Sequence, residues 1–511
     1  MLNYGHYNNA SGKATKGREK ARDTTIKFSR GYTMHQLSGQ DAMFIHTEAA
    51  GIPQHISSLG IYDQSSADGG LVRFKQIIEL TSARAPLAPI FTRQLQRVPW
   101  GLDQPWWEEV EDPDVERHIH HMALPKPGDW RQLCILAARI HSRPLDMEKP
   151  LWEMYVIEGL DNVPGLPENC FAVLLKVHHA AMDGATGARL LPLLHDLSPT
   201  VEDIPVPDTE HESMLTRSDI LKKAAANNLR KPLKTAKLVG NLVPAWQRIR
   251  RGRKENDFRS LDDKQRTRFQ GKLSPHRVVD SVNFDFAELR SIKQHCEGAT
   301  INDVMLCIVS GALRHYLSAK GELPEKTLVG GCPIDVRSAA EQNSGGNMVG
   351  FMTVSLCSTI ADPMERLTHI QQASLESKAY ANALGPRVAV DVTDVLHGGV
   401  LQLALRAASS TGLSEAAVIF NTVITNVPGP REQLYFCGAR LVNGMNFGPL
   451  LPNVGLFHIV YSSVQNKRGI IALSFTACRD MMPDPDLYRE CIQRAYDELR
   501  ESALASTAEP A

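Results

Sequence analysis

The 511-residue sequence has no apolar run approaching the roughly 18 residues of a membrane-spanning helix, which excludes an integral helical membrane protein. It has no excess of charge: 56 Lys+Arg against 57 Asp+Glu leave a formal −1. That excludes a globally basic nucleic-acid binder and an acidic disordered solubiliser. There is no C-x-x-C pair among its nine cysteines (134, 170, 296, 307, 332, 357, 437, 478 and 491), whose two nearest members lie eleven apart. Neither a zinc ribbon nor a dithiol redox site is therefore readable. A G-x-S-x-G nucleophile elbow and an H-E-x-x-H helix are missing too. Residues 1–30 hold no apolar core of a signal peptide. They are polar and basic, and a disordered tail is expected. No short-period repeat is present. What is present is ordinary globular material: 43% apolar and 22% charged residues, with mean hydropathy −0.23. At about 150 residues per domain the length predicts two to four compact units. Cysteines inside runs such as ENCFAVLL and DVMLCIV read as small buried hydrophobes, and a reducing compartment is expected.

Apolar spacing near 3.6 in LVRFKQIIELTSARA and WRQLCILAARIHSR predicts helices, and the β-rich runs LWEMYVIEGL and CFAVLLKV predict buried strands. This alternation over residues 31–205 predicts an α/β half. The Pro-rich, acidic VEDIPVPDTEHE (201–212) then leads into a linker over 206–270. Between Arg217 and Lys254 twelve Lys/Arg face one acid, Asp219, a local net of +11. Leu221, Leu229, Leu233, Leu242, Trp246 and Ile249 recur there at roughly helical spacing, interrupted by Pro232 and Pro244. Two readings stand: a helical linker whose apolar stripe packs on its own protein, or a basic amphipathic segment lying on an anionic lipid surface. With Trp246 as its only supporting aromatic and no recognisable binding module, the stretch is not expected to bind nucleic acid. Over 271–505 a second half is predicted, with strands in RVVDSVNFDF, LVGGCPIDV and MVGFMTVSL and a helix in INDVMLCIVSGALRHYL.

The chemistry concentrates in CFAVLLKVHHAAMDGATGARLLPLL (170–194), where a buried strand runs into His178-His179 and then Asp183-Gly184. Ending a hydrophobic strand on two imidazoles is costly unless the loop is used. Histidine titrates nearest neutrality, so a base there takes up a proton and returns it. A bare His pair is more often an ordinary loop feature, and zinc is the other rival. No third ligand stands at a familiar spacing, so no metal is expected. His118, His120 and His121, interleaved with Arg117, read as a surface or entry feature.

HHAAMDG fits H-H-x-x-x-D-G, and here the sequence resembles the CoA-dependent acyltransferase superfamily, which includes chloramphenicol acetyltransferases and peptide-synthetase condensation domains. RPLDMEKPLWEMYVIEG (143–159) resembles the P-L-D…P-L-W motif of bacterial wax ester synthase/diacylglycerol acyltransferases. TINDVMLCIVSGALRHYL (300–317), CPIDVR (332–337), GGNMVG (345–350) and TNVPGPREQLYFCGARL (425–441) are similar to further blocks of that family. LSGQDAMFIHTE (37–48) and WWEEVEDPDVERHIHHMALPKPG (106–128) look like its N-terminal pattern.

The resemblance implies two chloramphenicol-acetyltransferase-like α/β halves with a tunnel between them. It implies transfer of a fatty acyl group from acyl-CoA, a substrate and not a cofactor, to a long-chain alcohol or diacylglycerol. His179 is the implied general base, His178 a support for the loop, and Asp183, beside Gly184, a structural partner of Arg337. Gly184, Asn302 with its neighbour Asp303, and Thr425 with Asn426 are candidate substrate-site positions, Asn302 and the Thr425-Asn426 pair as oxyanion donors. The rival role for Asn302 is capping its helix, and for N-V-P-G-P a structural turn. Pro150, Leu151 and Trp152 would shape an acyl pocket or pack in the core. Thr425 stands where the family usually has Ser, and His458 where it often has Asn near the tunnel, which bears on acceptor preference. A cytoplasmic protein, peripheral on the inner membrane or on lipid inclusions, is expected. A condensation domain normally works beside a carrier bearing a phosphopantetheine serine, and P-L-W and N-V-P-G-P point away from it. A dihydrolipoamide-type enzyme would need a lipoyl-lysine domain. A catalytically idle lipid-surface protein of the same fold is the alternative from a different class.

Overall fold

The computed structural model describes residues 35–49, 52–110, 112–182, 190–205, 218–233, 236, 240, 265–335, 349–384 and 420–505. Its strands are β1 (His35–Gln36), β2 (His55–Asp63), β3 (Arg93–Gln96), β4 (Trp106–Glu109), β5 (Ile119–Ala123), β6 (Trp152–Glu158) and β7 (Cys170–His178). There follow β8 (Arg277–Asp285), β9 (Val329–Asp335), β10 (Val349–Ser355), β11 (Thr422–Val427), β12 (Tyr435–Phe436), β13 (Ala439–Phe447), β14 (Leu456–Gln465) and β15 (Arg468–Cys478). The longer helices are α1 (Gly39–Ala49), α2 (Phe74–Arg84), α3 (Trp130–Ser142), α4 (218–233), α5 (Phe286–Gln294), α6 (Ile301–Ala319), α7 (Pro363–Leu384) and α8 (Pro485–Ala505).

Two six-stranded mixed sheets carry the fold, in the orders β12-β13-β2-β7-β6-β5 and β10-β9-β11-β14-β15-β8. The segments read as strands and helices from their periodicity form those elements, with ends shifted by a residue or a few. The sheets do not follow a division of the chain at 205 and 271. β13 leaves the second stretch and pairs antiparallel with β2 of the first, from Arg440↔Asp63 to Phe447↔Ser57. Only long-range register decides this, so no local pattern announces it. The second sheet packs on α6, whose thirteen buried residues include Met305, Leu306, Ile308 and Val309, and on α8 through Tyr488, Ile492 and Leu499. All nine cysteines are free thiols, seven of them buried.

α4 decides part of the basic stretch. Ile220 and Ala224 pack with Val98 and Trp106, Lys231 meets Asp103 at 3.3 Å in a buried pair, and Asn227 donates to Asp103 and Gln36. The helix therefore docks on its own protein. The docked stripe is Ile220, Ala224 and Lys231, while Leu229 and Leu233 point outward. Leu242, Trp246 and Ile249 lie outside the described residues. Among the described residues no helix is long and apolar enough to cross a membrane.

Candidate active site

β7 is buried along most of its length and delivers His178 as its last residue. The strand cannot run on unchanged, because His178 starts a 3-10 turn, His179–Ala181. Both histidines have pinned backbones: His178 N–H donates to Leu151 O at 3.0 Å, and His179 N–H to Gln54 O at 2.8 Å. The His178 Nδ1 accepts the Ala180 N–H at 3.1 Å. That bond needs a lone pair on Nδ1, so the ring proton of neutral His178 sits on Nε2. Nε2 faces Glu48 Oε2 at 3.1 Å.

The same carboxylate oxygen lies 3.4 Å from His55 Nε2 and accepts the Gln54 N–H at 2.9 Å. His55 is the cross-strand partner of His178, and both are fully buried. His55 Nδ1 meets the His141 carbonyl, and the His141 ring bridges Ser57 Oγ at 2.8 Å and Gly448 O at 3.2 Å. Burial works against the Glu48 carboxylate. Hydrogen bonds and charge from His178 and His55 outweigh it and hold its pKa well below the ordinary value. Burial lowers the pKa of His55 as well, with Glu48 opposing.

His179 stacks on Phe44, ring centroids 3.9 Å apart and planes 18° from parallel. Its Nδ1 is buried, while the residue as a whole is partly exposed. Burial, opposed by a hydrogen bond to its own backbone and reinforced by His178, lowers its pKa to about 4. The imidazole is thus neutral and ready to accept a proton throughout the physiological range. Because the base must be unprotonated, activity should persist above that pKa and fall as pH drops through it. The acid limb of kcat/KM is expected near 4, read in brief assays from pH 3.5 to 8. A limb near 6.5 would contradict this environment.

The other sequence-predicted residues separate into groups. Asp183, Gly184 and Arg337 lie outside the described residues. Leu151 packs with Ala180, Leu145 and α1 residues Ala42 and Ile45, directly under the histidine turn. Pro150 is buried, and its carbonyl accepts the Trp152 N–H. Trp152 belongs to the core: it is fully buried, edge-on to Phe91 and stacked on His118 at 4.6 Å. That corrects the expectation for His118, which is buried and bonds Trp152 O at 2.8 Å. His121 pairs with Glu158 and stacks on Phe74. Among the described residues no cluster of His, Cys, Asp and Glu is suited to a metal.

Asn302 does not cap α6. Thr300 is the cap, and Asp303 closes a capping box by accepting from Thr300 N–H at 2.8 Å and its hydroxyl at 2.7 Å. Asp303 is buried in that role. Asn302 is left to face Asn426, whose Nδ2 lies 3.5 Å from its Oδ1. Thr425 precedes that pair on β11, half-buried. Gly429 of N-V-P-G-P lies against β14, where a Cβ would collide with the Ser462 carbonyl, so the turn has a structural task. His458 is fully buried between Thr422 Oγ1 and Tyr488 OH. The second contact ties it to α8.

Residues 37–305 match the wax ester synthase/diacylglycerol acyltransferase catalytic domain, and 345–500 match the C-terminal domain of the same family. The chain belongs to the wax ester synthase/diacylglycerol acyltransferase family. As a member it is an acyltransferase. A Mycobacterium tuberculosis chain bearing the name of a diacylglycerol O-acyltransferase is 31% identical over 480 residues, 91% of each chain. A second from that organism, similarly named, is 30% identical over 92% of this chain and 100% of its own. In fold the chain is similar to the wax ester synthase/diacylglycerol acyltransferase from Marinobacter aquaeolei VT8, with TM-score 0.64, 24% identity and 92% and 100% coverage. The first condensation domain of the CDA synthetase shares the architecture at TM-score 0.53, 14% identity and 92% and 96% coverage.

Glu48, Phe44 and His55 escape sequence reasoning. Phe44 and Glu48 stand four apart in LSGQDAMFIHTE, one helical turn, which is the available signal. His55 has none, since its facing His178 depends on strand register.

Proposed function

We propose that this acyltransferase moves a long-chain acyl group from acyl-CoA to a fatty alcohol or to diacylglycerol by direct transfer, with His179 as general base. One observation carries the reading: an imidazole directly after the last residue of a buried strand, partly open, with its Nδ1 buried. Nε2 is the nitrogen proposed to meet an incoming hydroxyl. It takes the alcohol proton as the oxygen attacks the thioester carbonyl. The tetrahedral intermediate collapses by breaking the C–S bond, and the imidazolium gives the proton to the departing CoA thiolate. One group serves both halves of the reaction. The adjacent amides of Asn302 and Asn426 are the proposed donors to the oxyanion. Asp183 and Arg337 are the proposed structural pair behind the loop. The acceptor class rests on the names of the relatives. It is tested by CoA release and ester formation from palmitoyl-CoA with hexadecanol and, separately, with dioleoylglycerol. Ester with at least one acceptor is expected. Folded enzyme that makes neither would overturn the acceptor assignment.

The place of action is proposed to be an anionic lipid surface, met by the outward face of α4. Leu229 is 81% exposed, Leu233 is 75% exposed and Trp100 in the adjoining loop is 86% exposed. Asn228 ties helix and loop by donating to Leu102 O. Exposed Lys222 and Arg230 flank the leucines and match an anionic headgroup layer. In flotation with vesicles of phosphatidylcholine and phosphatidylglycerol, the enzyme should float, and L229E/L233E should lose most of that binding. Equal flotation of both, or absence of binding at low salt, would contradict this surface.

A further inference from the structure

Three residues of α1 share one stripe: Gln40, Phe44 and Glu48, at positions i, i+4 and i+8. Each meets a different part of the site. Gln40 grips the start of β10 in the second sheet through two bonds, Nε2 to Val349 O at 2.7 Å and Val349 N to Oε1 at 2.9 Å. Phe44 lies flat against the His179 ring. Glu48 Oε2 lies 3.1 Å from His178 Nε2. The helix start is itself fixed, since Ser38 Oγ accepts the Asp41 N–H at 3.0 Å and donates to Asp41 Oδ2 at 2.7 Å.

We infer that α1 positions the base: Glu48 acts through His178 to set the turn that presents His179, and Phe44 braces the ring of His179. This rests on the reading of His179 as general base. Glu48 is a positioning residue, not a catalytic one, because it touches His178 and not the reacting nitrogen. Its effect passes through one close charge contact and one hydrogen bond. The Glu48 carboxylate fixes the Nε2–H form of His178, which leaves Nδ1 to accept the Ala180 N–H and close the turn carrying His179. A carboxylate buried among His55, His178 and, farther off, Lys176 is costly to keep unless its charge is used. Phe44 adds a second element, because a flat aromatic face favours the imidazolium that forms when His179 takes the proton. A small displacement of a base from its productive geometry costs about 100-fold in rate.

The test is a steady-state comparison of wild type, Glu48→Gln, His178→Asn, the double variant and His179→Ala on palmitoyl-CoA and whichever acceptor turns over. Asn keeps an acceptor where Nδ1 stood but cannot reach Glu48. Glu48→Gln is expected to lower kcat at least tenfold with KM for acyl-CoA within twofold of wild type. In the His178→Asn background the same change should lower kcat no further. Independent, multiplying losses in the double variant, or a kcat unchanged in Glu48→Gln beside an inactive His179→Ala, would overturn the positioning role while leaving the base intact. Activity retained by His179→Ala would instead bring down the base assignment and this inference with it. Should Glu48→Gln fail to fold, Phe44 decides. Phe44→Leu should lose kcat and Phe44→Tyr, which keeps the ring face, should restore it, and equal rates in the two would overturn the inference.

Discussion

His179→Ala should lower kcat by about 10²–10⁴, the range ordinarily supplied by a positioned general base, with KM for acyl-CoA little changed. The size follows from the site. The ring is neutral at working pH, its pKa lowered to about 4 by burial, and its main chain is anchored to Gln54. Removing the side chain leaves that anchor in place, because the Gln54 carbonyl accepts a backbone N–H. The variant should therefore fold as wild type does, and its far-ultraviolet circular dichroism and melting curve should overlay those of the parent. Ester formation undiminished in folded His179→Ala would remove the base assignment.

Trp152→Ala should have the largest effect on stability, a loss of about 3–5 kcal/mol, the usual cost of emptying a buried Trp or Phe position. The side chain is fully buried between Phe91 and His118, and its Nε1 donates to Phe91 O at 3.3 Å. Its removal also strips His118 of the surface on which it stacks. Urea denaturation would read the loss as a lower midpoint. The fraction still folded should retain its KM for acyl-CoA, because the indole belongs to the core. A raised KM with an unchanged midpoint would instead make Trp152 part of an acyl-binding wall.

The sequence carried the local parts of this account well. A hydrophobic strand ending on two histidines is a pattern of neighbours, and β7 with His178 and His179 stands where CFAVLLKVHHA implied. α3 and α6 follow from their periodicity in the same way. What escaped depends on contacts distant along the chain. β13 crosses to pair with β2, His55 comes opposite His178, and Glu48 reaches both only through the fold. Of the two roles open to Asn302, capping falls to Thr300, two residues earlier, with Asp303, and Asn302 between them faces Asn426. In the basic stretch the described helix docks on its own protein. α4 buries Ile220 and Ala224 against Val98 and Trp106 while presenting Leu229 and Leu233 outward. Composition alone gives no way to assign leucines to one face or the other.

The most direct test of the central claim, direct transfer at His179, is rapid-quench CoA release from palmitoyl-CoA with and without acceptor, alongside intact mass of the protein. The account predicts no burst and no acyl adduct without acceptor. With acceptor it predicts CoA and ester in equal amounts. A burst matching the enzyme concentration, with one acyl group added to the protein mass, would contradict it and require a covalent acyl-enzyme.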